Sequence, residues 1–158
     1  MTISILQDEL CKELEKIFEH TTFKAPSGEK KIKAYKQCVP LNRGNDAEDE
    51  DEPQPYIIVK LVDGNTEVAK GECNILLIIS IYDNDNAMQG HEVLLNIIND
   101  IQQRFIETPL LGECFIAKPK MTWTLQEEDT DETWPYFYGG MYMSFEMPGI
   151  SRGGNDFT

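Results

Sequence analysis

The chain has 158 residues and carries 28 acids against 14 bases, a net charge of −14. That length suits one ordinary domain with a real core, and 41 % hydrophobic residues place it among globular rather than disordered chains. So large an acidic excess argues against nucleic-acid binding through phosphates, which needs Lys and Arg clusters, and against anionic membrane surfaces.

Residues 4–20 read as an amphipathic helix, with Leu6, Leu10, Leu14 and Ile17 at helical spacing and Ser4 and Gln7 fitting a capping box. The N-terminus, Met1-Thr2-Ile3-Ser4, has no basic region before an apolar stretch and so predicts no secretory signal. Pro26-Ser27-Gly28 marks a turn, and 31–39 follows as an imperfectly alternating strand. Residues 40–55 form a loop, then 56–62 a strand that Asp63-Gly64 closes with a turn. The strongest strand is 71–82. Cys73, Ile75, Leu77, Ile79 and Ile81 share one face, and Leu76 and Ile78 make the other apolar, so it reads as central and covered on both sides. Its apolar run is far short of the ~20 residues a bilayer span needs.

A second helix covers 90–107 on the stripe Leu94, Ile97, Ile98, Ile101 and Phe105, and Thr108-Pro109 stops it. Strands at 114–117, 121–126 and 138–147 complete the order α-β-β-β-α-β-β-β. This predicts an α+β domain over 1–150, with a mostly antiparallel sheet of about five to six strands and two amphipathic helices packed on it. Residues 151–158 read as a polar, flexible C-terminal tail.

Candidate chemistry is sparse. Cys11, Cys38, Cys73 and Cys114 contain no C-x-x-C spacing and read as four buried free thiols. The loop starting at Asp83 resembles a calcium loop only superficially: its sixth and twelfth positions are Met88 and Leu94, where an EF-hand needs Gly and a carboxylate. His20 and His91 are the only histidines, so one chain holds no trio of His ligands. Nucleophile-elbow, phosphate-loop and dinucleotide motifs are all missing. We expect no enzyme activity, no catalytic residue, no metal and no cofactor.

Two clusters stand out. Asp46, Glu48, Asp49, Glu50, Asp51 and Glu52 fill the loop 40–55 with like charge. Trp134, Tyr136, Phe137 and Tyr138 crowd an aromatic segment that reads either as core around the last strands or as a subunit interface, where Trp and Tyr are enriched.

Three segments in order resemble the phage tail terminator, or tail-completion, family, which includes the collar proteins of phage-tail-like bacteriocins. They are "PYIIVKLVDG", "ILLIISIYDNDNAMQGHEVLLNIINDIQQRF" and "MTWTLQEEDTDETWPYFYGGMYMSFEMP". The resemblance implies a structural role: a ring, typically sixfold, on the head-proximal end of the tail tube, which ends tube polymerisation and forms the collar or connector joint. It implies copies of the chain itself and the tail tube protein as partners, with the sheath and head connector as further candidates. It places the chain in the host bacterial cytoplasm during assembly and then in the virion or tail-like particle. In such a ring the acidic loop would recur once per subunit, either lining the channel, where it would repel DNA, or lying solvated on the rim. The alternative from another class is an acidic inhibitor that mimics DNA. The charge fits it, but the acids cluster at Asp46–Glu52 and Glu127–Glu132 instead of being spread like phosphates.

Overall fold

Leucines four residues apart build the first element. The computed structural model describes residues 2–41 and 53–149, and helix α1 spans Thr2–Ile17. Leu6, Leu10 and Leu14 are fully buried along one stripe. The helix begins before Ser4, so Ser4 lies inside its first turns and is not the N-cap that sequence predicts. Gln7 turns inward instead, and its amide donates to the Val59 carbonyl and to Gln37 Oε1, each at 2.9 Å. A side-chain amide this buried needs partners inside the fold. Beyond α1, β1 (Phe23–Ala25) and β2 (Gly28–Lys30) form a small hairpin where sequence predicts only a turn. Gly28 has φ +129°, a conformation open to glycine alone at low cost.

The main sheet has seven strands. They are β3 (Lys33–Lys36), β4 (Tyr56–Thr66), β5 (Lys70–Tyr82), β6 (Leu110–Leu111), β7 (Phe115–Ala117), β8 (Thr122–Leu125) and β9 (Tyr136–Pro148). Helix α2 (His91–Glu107) follows β5, and the single turn α3 (Thr130–Thr133) precedes β9. The lateral order is β3-β4-β5-β9-β7-β6, with β8 also on β9. Strand β5 pairs with β9 along its whole length, so β7 and β8 share the other edge of β9 end to end. The α+β class and the mostly antiparallel sheet are as expected. The count is higher because β6 and α3 are too short for periodicity to register. Strand β3 runs parallel to β4, a pairing that needs a crossover of a dozen or more residues, which 37–55 supplies.

Asp63-Gly64 does not turn the chain. The strand continues to Thr66 past a bulge between Leu61 and Asp63. Asp63 accepts a 2.7 Å hydrogen bond from Asn74 on the facing strand. Gly64 is needed because a Cβ there would collide with the Glu72 carbonyl.

Alternation decides what each face of the sheet does. Ile57, Val59, Cys73, Ile75, Leu77, Ile79, Ile81, Phe137, Met141, Met143 and Phe145 are buried on one face and join the buried residues of α1 and α2 in one cluster. The opposite face carries Tyr56, Ile58, Leu76, Ile78, Tyr138 and Tyr142, none of them in that cluster. Strand β5 is central as expected, but Leu76 and Ile78 are only half-buried, so its second face is partly open. Residues 53–55 cover one end of that face: Gln54 is 5 % exposed and donates to Ser80 Oγ at 3.0 Å. No helix among the described residues is long and apolar enough to cross a membrane.

Candidate assembly surfaces

The polar groups that sequence singles out are used structurally. The Asp83 and Asp85 carboxylates accept the backbone N–H of Asp85 and Ala87, each at 3.0 Å, which folds the loop on itself. Asp83 also pairs with Lys24 at 3.1 Å and ties the β1–β2 hairpin to the end of β5. His20 is exposed beside Glu19, and His91 is half-buried at the start of α2. Among the described residues no three His, Cys, Asp or Glu side chains converge on one point.

The expectation of four buried thiols is corrected. Only Cys73 is buried; Cys11 is half-buried, and Cys38 and Cys114 are exposed. Cys38 lies just past β3 and Cys114 in the turn before β7, outside the ladders where alternation would bury them. Burial, and then the Glu15 charge, push the Cys11 thiol up to about 11 from an ordinary 9.0. Two units leave roughly a hundredfold less thiolate than an unshifted thiol has below both values. Native protein treated with iodoacetamide at pH 8 should therefore be alkylated first at Cys38 and Cys114, with Cys11 and Cys73 following only on unfolding. Peptide mapping against time checks this order, and early labelling of Cys11 would contradict it.

The aromatic segment is divided by the structure. Phe137 is 1 % exposed in the core. Trp134 is half-buried against the core and donates from Nε1 to the Asp85 carbonyl at 3.2 Å. Tyr136 lies at 5.6 Å from the Tyr82 ring, and Tyr138 is half-buried on the partly open face. The more exposed aromatics are Trp123 on β8 and Tyr142 on β9, each about half-exposed. The acidic residues Asp46, Glu48, Asp49, Glu50, Asp51 and Glu52, and the tail 151–158, lie outside the described residues.

What the fold does present is two dissimilar lateral edges. Strand β3 ends the sheet on one side; on the other, β8 is the edge along one stretch of β9, and β6, beyond β7, is the edge along the other. The pairings place Ala34, Ile57, Ile79, Gly139 and Leu125 on one row across it. Lys36, Val59, Leu77, Met141 and Trp123 form another. Four strand spacings of ~4.8 Å separate the two edges by roughly 19 Å.

The β3 edge is basic. A groove between α1 and β3 of about 530 Å³ is lined by Lys12, Lys16, Lys31 and Lys33 with Glu15 and Glu19. Lys12, Lys16 and Lys31 have no ion-pair partner among the described residues. Lys36 is held by Asp8 at 2.8 Å, and that hydrogen bond raises its pKa. Glu15 Oε2 accepts the outward N–H of Ala34 at 2.9 Å, and this side chain, with the flanking lysines, blunts the edge against strand addition. The β8 edge is acidic. Just past it, Glu127, Glu128, Asp129, Asp131 and Glu132 are all exposed and unpaired with any base of the described residues.

No protein-family model matches this chain, and no curated protein matches its sequence.

Proposed function

We propose that this chain is a structural end-cap of a phage tail or phage-tail-like particle. Copies form a ring on the head-proximal end of the tail tube, end its polymerisation and provide the collar or connector joint. The observation that supports this reading is where the three resembling segments fall. The first supplies β4, the second β5 and α2, and the third β8, α3 and β9. They are separate stretches of the chain, and their strands β4, β5, β9 and β8 lie side by side in one sheet that shares its core with α2. The segments that carry the resemblance thus make one folded unit.

The surface agrees with an assembly role. The polar groups of the 83–89 loop serve the fold, while charge is segregated to opposite edges of the sheet. Capping needs one face that matches the last ring of the tube and another that does not, so that addition stops. Contacts between unlike edges propagate around an axis and close if the rotation allows. Removing the chain from a producing strain should leave tube and sheath proteins at normal levels but give overlong or unjoined tubes in electron micrographs. Normal-length, fully joined tails in that strain would end the reading.

A further inference from the structure

We propose that copies of this chain meet side by side, the α1–β3 edge of one receiving the β8 edge and the 127–132 turn of the next. The inference rests on the ring reading and adds the residues that make the contact. Three independent observations converge on it.

The first is charge. The chain is strongly acidic, yet Lys12, Lys16 and Lys31 surround one groove with no ion-pair partner among the described residues. On the opposite edge the five acids Glu127, Glu128, Asp129, Asp131 and Glu132 likewise have none among the described residues. Each set leaves unmet what the other supplies, and like-charged contacts between two β8 edges would repel.

The second is height. Ala34 and Leu125 share a row, so Lys31, three residues before Ala34, and the turn that follows Leu125 lie toward the same end of the sheet. A copy displaced sideways, without being turned over, brings acid to base.

The third is apolar. Trp123 shares a row with Lys36, and its side chain stands on the helix-bearing side of the sheet with Met141. On that row the β3 edge has a second groove of about 430 Å³, where Cys11, Ala34, Tyr35 and Pro40 line it together with the charged Asp8, Lys12 and Lys36. A half-exposed Trp is the kind of anchor that dominates protein contacts when a neighbouring pocket takes it. Because Glu15 occupies the outward N–H of Ala34, side chains rather than a shared ladder make this contact.

The two edges differ, so the contact is heterologous and each subunit uses both. This gives a test by charge exchange. One variant carries Lys12→Glu, Lys16→Glu and Lys31→Glu; a second carries Glu127→Lys, Glu128→Lys and Asp131→Lys. All six positions are exposed. Assembly is followed by sedimentation over a concentration series at low salt, with and without tube particles. Each variant alone should need at least about tenfold more protein to assemble, or ~1.4 kcal/mol per contact. An equimolar mixture should recover the wild-type midpoint, because alternating subunits restore acid against base at every contact.

A carbodiimide joining amines to carboxylates should, in a mixture of isotope-labelled and unlabelled wild-type chains, link Lys12, Lys16 or Lys31 to the 127–132 turn between chains. That arm holds even if a variant folds poorly. Rings that form unchanged in both variants, or cross-links confined to other surfaces, overturn this interface and leave the ring reading standing. A wild-type chain that stays monomeric throughout, even with tube particles, overturns both.

Discussion

Phe145→Ala should lower the free energy of unfolding by about 3–5 kcal/mol, the usual cost of emptying a large aromatic site in a core. Phe145 is fully buried on β9, near the middle of the cluster that joins the sheet to α1 and α2. Its ring meets Phe105 of α2 edge to face, with centroids 5.6 Å apart and planes at 88°. Backbone pairing holds it in place on both sides, to Cys73 of β5 and Ala117 of β7, so neighbouring strands cannot collapse into the space left behind. Against a typical domain stability of about 5–15 kcal/mol, such a loss leaves a marginal fold. Tyr142→Ala, three residues earlier on the same strand but half-exposed, is the control and should cost far less. The checks are the urea midpoint and the slope, which should stay constant if only stability changes. The Phe105→Ala, Phe145→Ala cycle should show a coupling of about 0.5–1.5 kcal/mol. A Phe145→Ala change below about 1 kcal/mol would mean that this layer is not packed as described.

Arg104→Ala should cost about 1.5–3 kcal/mol, the range for hydrogen bonds to charged groups. Arg104 sits in the last turn of α2, where a cation also opposes the negative helix end. Its Nε donates to Glu13 of α1 at 2.5 Å, and its two terminal nitrogens donate to the carbonyls of Thr108 and Leu110. The guanidinium carbon lies 4.6 Å from the Phe105 ring centre. One side chain thus ties α1, the end of α2 and the start of β6 together. Both members of the Arg104–Glu13 pair are about four-fifths buried, so water screens them less than it would a surface pair. Arg104→Lys should recover less than half of the loss, since a single ammonium cannot address three acceptors in a fork. Full recovery by Lys would show that charge alone matters. Denaturant unfolding of the three proteins separates these outcomes.

The parts of this protein that local sequence determined are those whose cause is local. The stripe Leu94, Ile97, Ile98, Ile101 and Phe105 predicts α2 and its buried face together, because a helix repeats every 3.6 residues whatever it packs on. The alternation from Cys73 to Ile81 likewise predicts β5 and the face that is buried. The acids of 127–132 are visible as a block because they are contiguous. Other features needed partners distant in sequence. The parallel pairing of β3 with β4 depends on a crossover, not on residues within either strand. Asp63-Gly64 has the composition of a turn, but pairing with Asn74 and Glu72 keeps it in a strand. Leu76 and Ile78 make the second face of β5 look covered as well, but the helices settle on the first and leave these two half-buried. The basic groove was hidden for the same reason: Lys12, Lys16 and Lys31 belong to a helix and to the connection after a hairpin, and only their packing makes them one surface. Trp123 becomes a candidate contact rather than core because β8 is an edge strand, and which strand ends a sheet is decided by pairing across the whole chain.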